Sequence, residues 1–329
     1  EDRQRKTNKI NNMLGLSSGL YYPSGVGDLT ISAVNEISDL VGHWDFSNSA
    51  TLSKTFNWGL GGLTNAGQPQ VAVVADELIG TVANGAWYLY NQDNTDLGRS
   101  MLYFNTGNQP TYKTGGANGN SYAKFGTDDK LAAGSASWQG ATTGSDLTTV
   151  ELNFDAMTIF TVTKPGTTEG TRTLLYYQGS DVSPQIGTSE FRMQYVMNGS
   201  NHRFKAVMSD NTLTDGDWTI LGANQTESDI NQVCLHTAWI KPSGQASKIR
   251  FNGANSVSGS DNQQTSTNDS NYNDLTSIGI GAQFAGNFFA SGSNYWDGDI
   301  YEIVYYNKTL SEPEMLAVEN HLMSKYGIS

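Results

Sequence analysis

Short runs of alternating apolar and polar residues, each closed by Gly, Asn, Asp or Ser and with no helix between them, limit what this chain can fold into more than any other feature. They begin at His43-Trp44-Asp45-Phe46 and recur at 157–163, 172–177, 191–197, 203–208, 218–221, 233–240, 247–251, 277–281 and 300–306. A period of two sends successive side chains to opposite faces, so each run can bury one face and wet the other. About ten such runs at hairpin spacing predict two antiparallel sheets packed face to face, an all-β sandwich. The turns agree: residues 197–202, Met-Asn-Gly-Ser-Asn-His, carry the Asn-Gly pair favoured in tight hairpins. Only 16% of the residues are charged while Gly accounts for 36 of 329, which is poor material for a helical bundle or coiled coil. No fixed-period repeat or dividing linker interrupts the chain after residue 40, so residues 30–329 are expected to form one domain.

The two ends depart from the strand period. Residues 1–29 are polar and charged at first, then rich in Gly, Ser and Tyr without any period, and read as an extended N-terminal arm. Such an arm is ordered only when covered, by its own domain or by a neighbouring subunit. Over residues 30–41, Ile31, Val34, Ile37 and Val41 recur at three- and four-residue spacing behind Asp28 or Thr30 as caps, which predicts a short amphipathic helix. At the other end Ser311 and Glu314 make a capping-box pattern and Leu310 can staple to Met315. Met315, Val318, Leu322 and Tyr326 share one face, and Lys325 and Gly327 suit the closing turn, so a C-terminal helix is predicted against the sandwich.

The net charge of -13 is spread along the chain, and the one cluster of cations visible in linear order is Arg3, Arg5, Lys6 and Lys9. Nucleic acid is therefore not an expected partner, since phosphate binding requires clustered cations. No run reaches 18 apolar residues, so no membrane partner is expected and the chain reads as soluble, with Glu1 at its start fitting a leader already removed. Cys234 is the single cysteine, which leaves no internal disulfide and no cysteine zinc site; it reads as a small buried hydrophobe.

Three stretches carry a resemblance. Tyr301-Glu302-Ile303-Val304-Tyr305-Tyr306-Asn307, followed by Glu314 and Lys325-Tyr326-Gly327-Ile328, resembles the closing strand and helix of laminin G-like, concanavalin-like jelly-roll domains. Residues 40–47, Leu-Val-Gly-His-Trp-Asp-Phe-Ser, and 123–131, Ala-Lys-Phe-Gly-Thr-Asp-Asp-Lys-Leu, fit the same pattern in the same order. The resemblance spans residues 40–329 and implies an antiparallel jelly-roll β-sandwich. It departs from the pattern in polar insertions at 92–120 and 259–274 and in the arm. Such domains occur in secreted bacterial proteins, in lectins and adhesins, and in phage capsid and tail proteins, and most are not enzymes.

Laminarinase-type jelly rolls carry a Glu/Asp pair on one strand, and Asp297, Asp299 and Glu302 are spaced to play nucleophile and acid if the chain is a hydrolase. Plain alternation would instead put Asp297 and Asp299 on one face and Glu302 on the other, unless a bulge intervenes. Asp128-Asp129 and the loop bearing Asp269 and Asp274 offer hard oxygens, and calcium is the one cofactor they suit. A glycan would be held by aromatic faces beside hydrogen-bonding side chains, for which Trp87, Trp138, Tyr295 and Trp296 are the candidates. His43, His202, His236 and His321 are too scattered to form a ligand set.

These features predict a non-enzymatic structural or attachment protein of an extracellular assembly, a phage virion decoration or tail component that contacts other subunits through its arm. The alternative is a secreted carbohydrate-binding, lectin-like module, or less readily a β-glucan hydrolase. Either places the chain outside the cell or on a virion.

Overall fold

The structure, a computed structural model, describes residues 29–47, 52–54, 87–89, 110–134, 156–180, 188–199, 201–210, 218–241, 247–253, 274–284 and 292–329. Residues 1–28 of the expected arm lie outside the described residues. Strands follow in the order β1 Leu40–Asp45, β2 Leu52–Lys54, β3 Trp87–Leu89, β4 Thr111–Lys113, β5 Tyr122–Phe125, β6 Leu131–Gly134, β7 Met157–Pro165 and β8 Gly170–Ser180. Next come β9 Thr188–Asn198, β10 Asn201–Asp210, β11 Trp218–Leu221, β12 Cys234–Ile240, β13 Lys248–Phe251, β14 Asp274–Ile280, β15 Gln283–Phe284, β16 Gly292–Ser293 and β17 Gly298–Tyr306. A short helix, α1, spans Glu227–Ile230, and a long one, α2, spans Glu312–Tyr326.

Two antiparallel sheets form the sandwich. The first runs β13-β12-β7-β17-β5-β4, with β1 also paired to β17; the second runs β11-β10-β9-β8-β14-β6. Their facing side chains make one core, in which Ile159, Ile303 and Tyr305 from the first sheet meet Tyr177, Phe191, Met193, Tyr195 and Phe204 from the second. The outer side of the first sheet is apolar too: Phe160, Val162, Leu235, Val304 and Tyr306 pack against Met315, Val318, Leu322 and Tyr326 of α2. A sheet buried on both faces needs near-continuous burial along its strands, and β12 is buried at every position. Thr158 in β7 meets that demand by hydrogen bonding: its hydroxyl donates to Lys308 O at 3.0 Å and accepts from Leu310 N at 2.9 Å.

Local chemistry closes α2 as the sequence predicts. Ser311 N and Oγ donate to Glu314 Oε2 at 2.9 and 2.7 Å, and Gly327 ends the helix at φ +64°. Buried Leu310 takes a hydrogen bond on its carbonyl from Trp239 Nε1 at 2.8 Å. The Glu319 carboxylate, 1% exposed, receives Arg250 Nε at 2.9 Å, Arg250 Nη2 at 3.0 Å and the Thr237 hydroxyl at 2.7 Å, which ties the middle of α2 to β12 and β13.

The expected helix over 30–41 is corrected to a single 3-10 turn, Val34–Glu36, followed by β1. Its spacing was a true core signal, since Ile31, Val34 and Ile37 are all buried. Asp39 at φ +66° then breaks the helical path and hands the chain to β1, whose pairing with β17 outweighs local helix propensity.

Candidate functional site

The acidic stretch at the start of β17 divides among different environments. Against β7 the register shifts between Ile300 and Glu302, a bulge at Tyr301. Ile300 packs in the inter-sheet core and Tyr301 in the layer under α2, so Asp299, Tyr301 and Glu302 all face the α2 side. The alternation that separates Asp299 from Glu302 is corrected by this bulge. The two nonetheless differ in access. Glu302 is 1% exposed; its Oε1 lies 2.7 Å from His43 Nε2, and its Oε2 accepts from Lys325 Nζ at 2.7 Å and Tyr326 Oη at 2.6 Å. Burial pushes its carboxyl up, but the His43 bond and charge together with Lys325 overcome that and hold it at about 2.

Lys325 Nζ also reaches Asp45 Oδ2 at 2.7 Å. Among the described residues, His43, Asp45 and Glu302 are the group whose ligand atoms lie within 4.8 Å of one another, as a metal would require. The Lys325 ammonium bonded to both carboxylates already supplies their cation, so the cluster is an internal clamp joining β1, β17 and α2. A carboxylate sealed in this way cannot reach a sugar, which removes Glu302 from the catalytic trio. Asp299 is half-buried between its cross-strand neighbours Lys124 and Lys164, and burial pushes its carboxyl up to about 6 against the pull of both lysines. Asp297 receives the Thr168 hydroxyl on its carboxylate and Gly166 N on its carbonyl.

Asp128 and Asp129 join no cluster of metal-ligand atoms among the described residues. Asp129 Oδ2 accepts from Gly126 N at 2.6 Å within its own turn, where burial and then the nearby Asp128 raise its carboxyl to about 6 despite that bond. Asp128 is exposed. Asp274 begins β14 opposite Ser180, and Asp269 lies outside the described residues. Of the aromatic candidates, Trp138 also lies outside them, and Trp87 begins β3 opposite Lys54. Trp296, expected to face a glycan, is 0% exposed in the inter-sheet core beside Tyr195 and Phe204. That expectation is corrected: one position along an extended segment, alternation sends Trp296 inward and Tyr295 outward.

Tyr295 leads to an arrangement that linear order concealed. Beyond the end of β14, Tyr295 bridges Thr173 of β8 in parallel fashion, and Thr173 N donates to Asn294 O at 2.6 Å. Bridged residues share a face, and Thr173 lies on the side of the second sheet away from the core. Thr173 pairs with Gln194 of β9, Gln194 with Lys205 of β10, and Lys205 with Leu221 of β11. Tyr295, Thr173, Gln194, Lys205 and Leu221 thus form one row across the outward face, roughly 19 Å long at sheet spacing. Beside it lie Tyr176, Glu190 and Arg192. Tyr176 Oη donates to Glu190 Oε1 at 2.8 Å, and Gln194 Nε2 donates to Thr173 Oγ1 at 3.0 Å. Tyr295 is half-buried, its Oη accepting from Gly292 N at 2.9 Å, with Lys130 Nζ 5.8 Å from the ring centroid. Whereas the outer face of the first sheet is apolar and sealed by α2, this face is polar; Thr173, Tyr176 and Gln194 are buried at its centre, and Arg192, Lys205 and Tyr295 are part-buried around them.

No protein-family profile matches the chain, and no curated protein matches it. Among solved structures it is similar to the CBM40 of the Ruminococcus gnavus IT-sialidase bound to α2,3 sialyllactose, at 16% identity and a TM-score of 0.36 over 56% of this chain and 90% of that one. It is also similar to a Trypanosoma rangeli sialidase, at 13% identity and a TM-score of 0.44 over 98% of this chain and 38% of that one. A leech intramolecular trans-sialidase matches at 13% identity and a TM-score of 0.37, over 57% of this chain and 26% of that one. The chain therefore spans well under half of either sialidase. The expectation that the chain is no enzyme is corrected by these neighbours, because sialidases are among them. At such scores the likeness carries no ligand or reaction over to this chain.

Proposed function

We propose that this chain is a carbohydrate-binding β-sandwich, laminin G-like in plan, that presents the outward face of the second sheet to a glycan. The observation that supports the reading is that Tyr295 presents a half-buried ring on the same face as part-buried Arg192 and Lys205, while Thr173 and Gln194 lie buried between them and bond each other. A pyranose offers apolar C–H patches to an aromatic face and hydroxyls to polar or charged side chains, and this face supplies both kinds of partner. Side chains already half-buried also lose little rotamer freedom on binding. Residues 1–29 would tether such a module to other subunits of an extracellular or virion surface, and Trp87 and Trp138 would add rings to the same function.

A glycan array followed by calorimetry tests the reading. Tyr295→Ala is expected to weaken the best array ligand at least tenfold while the thermal midpoint stays within a few degrees. A ligand whose affinity survives that substitution refutes this face as the binding surface. Deleting residues 1–29 should leave glycan affinity intact and abolish assembly.

A further inference from the structure

The outward face of the second sheet carries more positive charge than a chain of net charge -13 leads one to expect. Arg203 and Lys205 are two residues apart on β10 and so point to the same side, roughly 7 Å from each other. Arg192 on β9 lies opposite Val207, one diagonal step from Lys205. Glu190 is the carboxylate that the described residues place beside them, and it is already engaged: its Oε1 takes the Tyr176 hydroxyl at 2.8 Å, while its Oε2 remains 3.9 Å from Arg192 Nε. Arg192 Nε is buried without a hydrogen-bond acceptor, and among the described residues neither Lys205 nor Arg203 has an ion-pair partner. Three cations thus stand against one occupied carboxylate.

Like charges held together on a part-buried surface repel, and the ammonium of Lys205 bears that repulsion. Burial first, then the charges of Arg192 and Arg203, pull it below the ordinary lysine value. An incoming anion would relieve that repulsion, so the face gains from an anionic ligand what a neutral one cannot supply. Nucleic acid fits poorly, because three cations are too few to neutralise a phosphate run and the remaining charge of the chain opposes it.

Resting on the glycan-binding reading, we infer that the ligand is an anionic saccharide whose acid group sits over Arg192, Lys205 and Arg203. The neutral part of the ligand extends toward the half-buried Tyr295 ring. The acid group is a carboxylate or a sulfate ester, which the cations alone would bind alike.

Calorimetry on the full chain with 3′-sialyllactose, trigalacturonate, lactose 6′-sulfate and lactose separates the outcomes. At least one acidic saccharide is expected to bind tenfold or more above lactose, with affinity falling as salt is raised, and the responding probe identifies the acid group. Arg192→Gln and Lys205→Gln should each lower that affinity roughly ten- to hundredfold, bringing it toward that of lactose, with the thermal midpoint unchanged. Lactose binding as well as its acidic counterparts, indifferent to both substitutions, would overturn the anionic inference and leave the glycan reading standing. Binding of no saccharide, or binding of a single-stranded oligonucleotide ahead of them all, would overturn both.

Discussion

Replacing Lys325 by Met tests whether the His43–Asp45–Glu302–Lys325 clamp holds α2 to the sandwich. The substitution keeps most of the aliphatic stem and removes the ammonium that bonds Asp45 and Glu302 at 2.7 Å each. Two routes bound the cost. Holding the Glu302 carboxyl at about 2 in place of its ordinary 4.5 corresponds to roughly 3 kcal/mol, which His43 and Lys325 supply together, so this is a ceiling on the lysine's share. Breaking a buried pair by removing one partner costs about 3–5 kcal/mol. The Lys325 side chain is 24% exposed, so water screens part of the interaction and favours the lower figure, about 3 kcal/mol. The pH dependence has a definite sign. In the natural chain the depressed Glu302 carboxyl contributes its full stabilisation above pH 4.5 and loses it as pH falls toward 2. In Lys325→Met the carboxyl loses the ammonium's pull and rises, so the deficit is greatest near pH 7 and narrows as acid neutralises Glu302. Urea unfolding at pH 7 and pH 4 measures both quantities; a loss below 1 kcal/mol at pH 7, or a deficit equal at the two pH values, would refute the account.

Arg250→Met strands the buried Glu319 carboxylate under α2 and is expected to cost about 3–5 kcal/mol in urea unfolding, with Glu319→Gln in the same background recovering part of it. Gly298 has φ +135°, and a Cβ there would lie 2.3 Å from Lys164 O, so Gly298→Ala must move backbone where β17 meets β7; a loss of roughly 2–4 kcal/mol is expected, and an unchanged thermal midpoint would contradict it. Asp299 is raised from 3.8 to about 6, so the folded state holds its proton more tightly and stability declines as pH rises from about 4 through 6. Asp299→Asn should therefore match the natural chain at pH 4 and exceed it by about 1 kcal/mol at pH 8, after allowance for its partial exposure, and carboxyl NMR of the natural chain should show a midpoint near 6.

What could be read before the structure follows from how local each determinant is. Strand β11 occupies residues 218–221 as expected, and the Asn198-Gly199 turn, with Gly199 at φ +58°, joins β9 to β10. The cap, staple and stop of α2 lie within its own residues and were legible. β4 and β6 were not, because strands of three or four residues carry too few alternations to form a pattern; β4 exists because Thr111–Lys113 finds Tyr122–Lys124 as a partner. The bulge at Tyr301 is likewise fixed by the partner strand. Because the bulge was hidden, Glu302 could be neither assigned to the helix-covered side nor recognised as the partner of Lys325.

The cationic face was hidden for a different reason. Arg192 and Lys205 are thirteen positions apart, and a scan for basic runs passes over both. Yet the hairpin signal between them contained the answer: pairing across Asn198 and Asn201 sets Lys205 opposite Gln194, and alternation then puts Arg192, Arg203 and Lys205 on the side away from Phe191, Met193 and Phe204. The same step separates Tyr295 from Trp296. Adjacent residues on an extended segment cannot both face a ligand, so treating the two rings as one binding pair conflicts with the period that predicted the sandwich. Carried through the hairpin and the Tyr295 bridge, that period makes one sheet face a sealed apolar seam and the other a polar, positively charged surface.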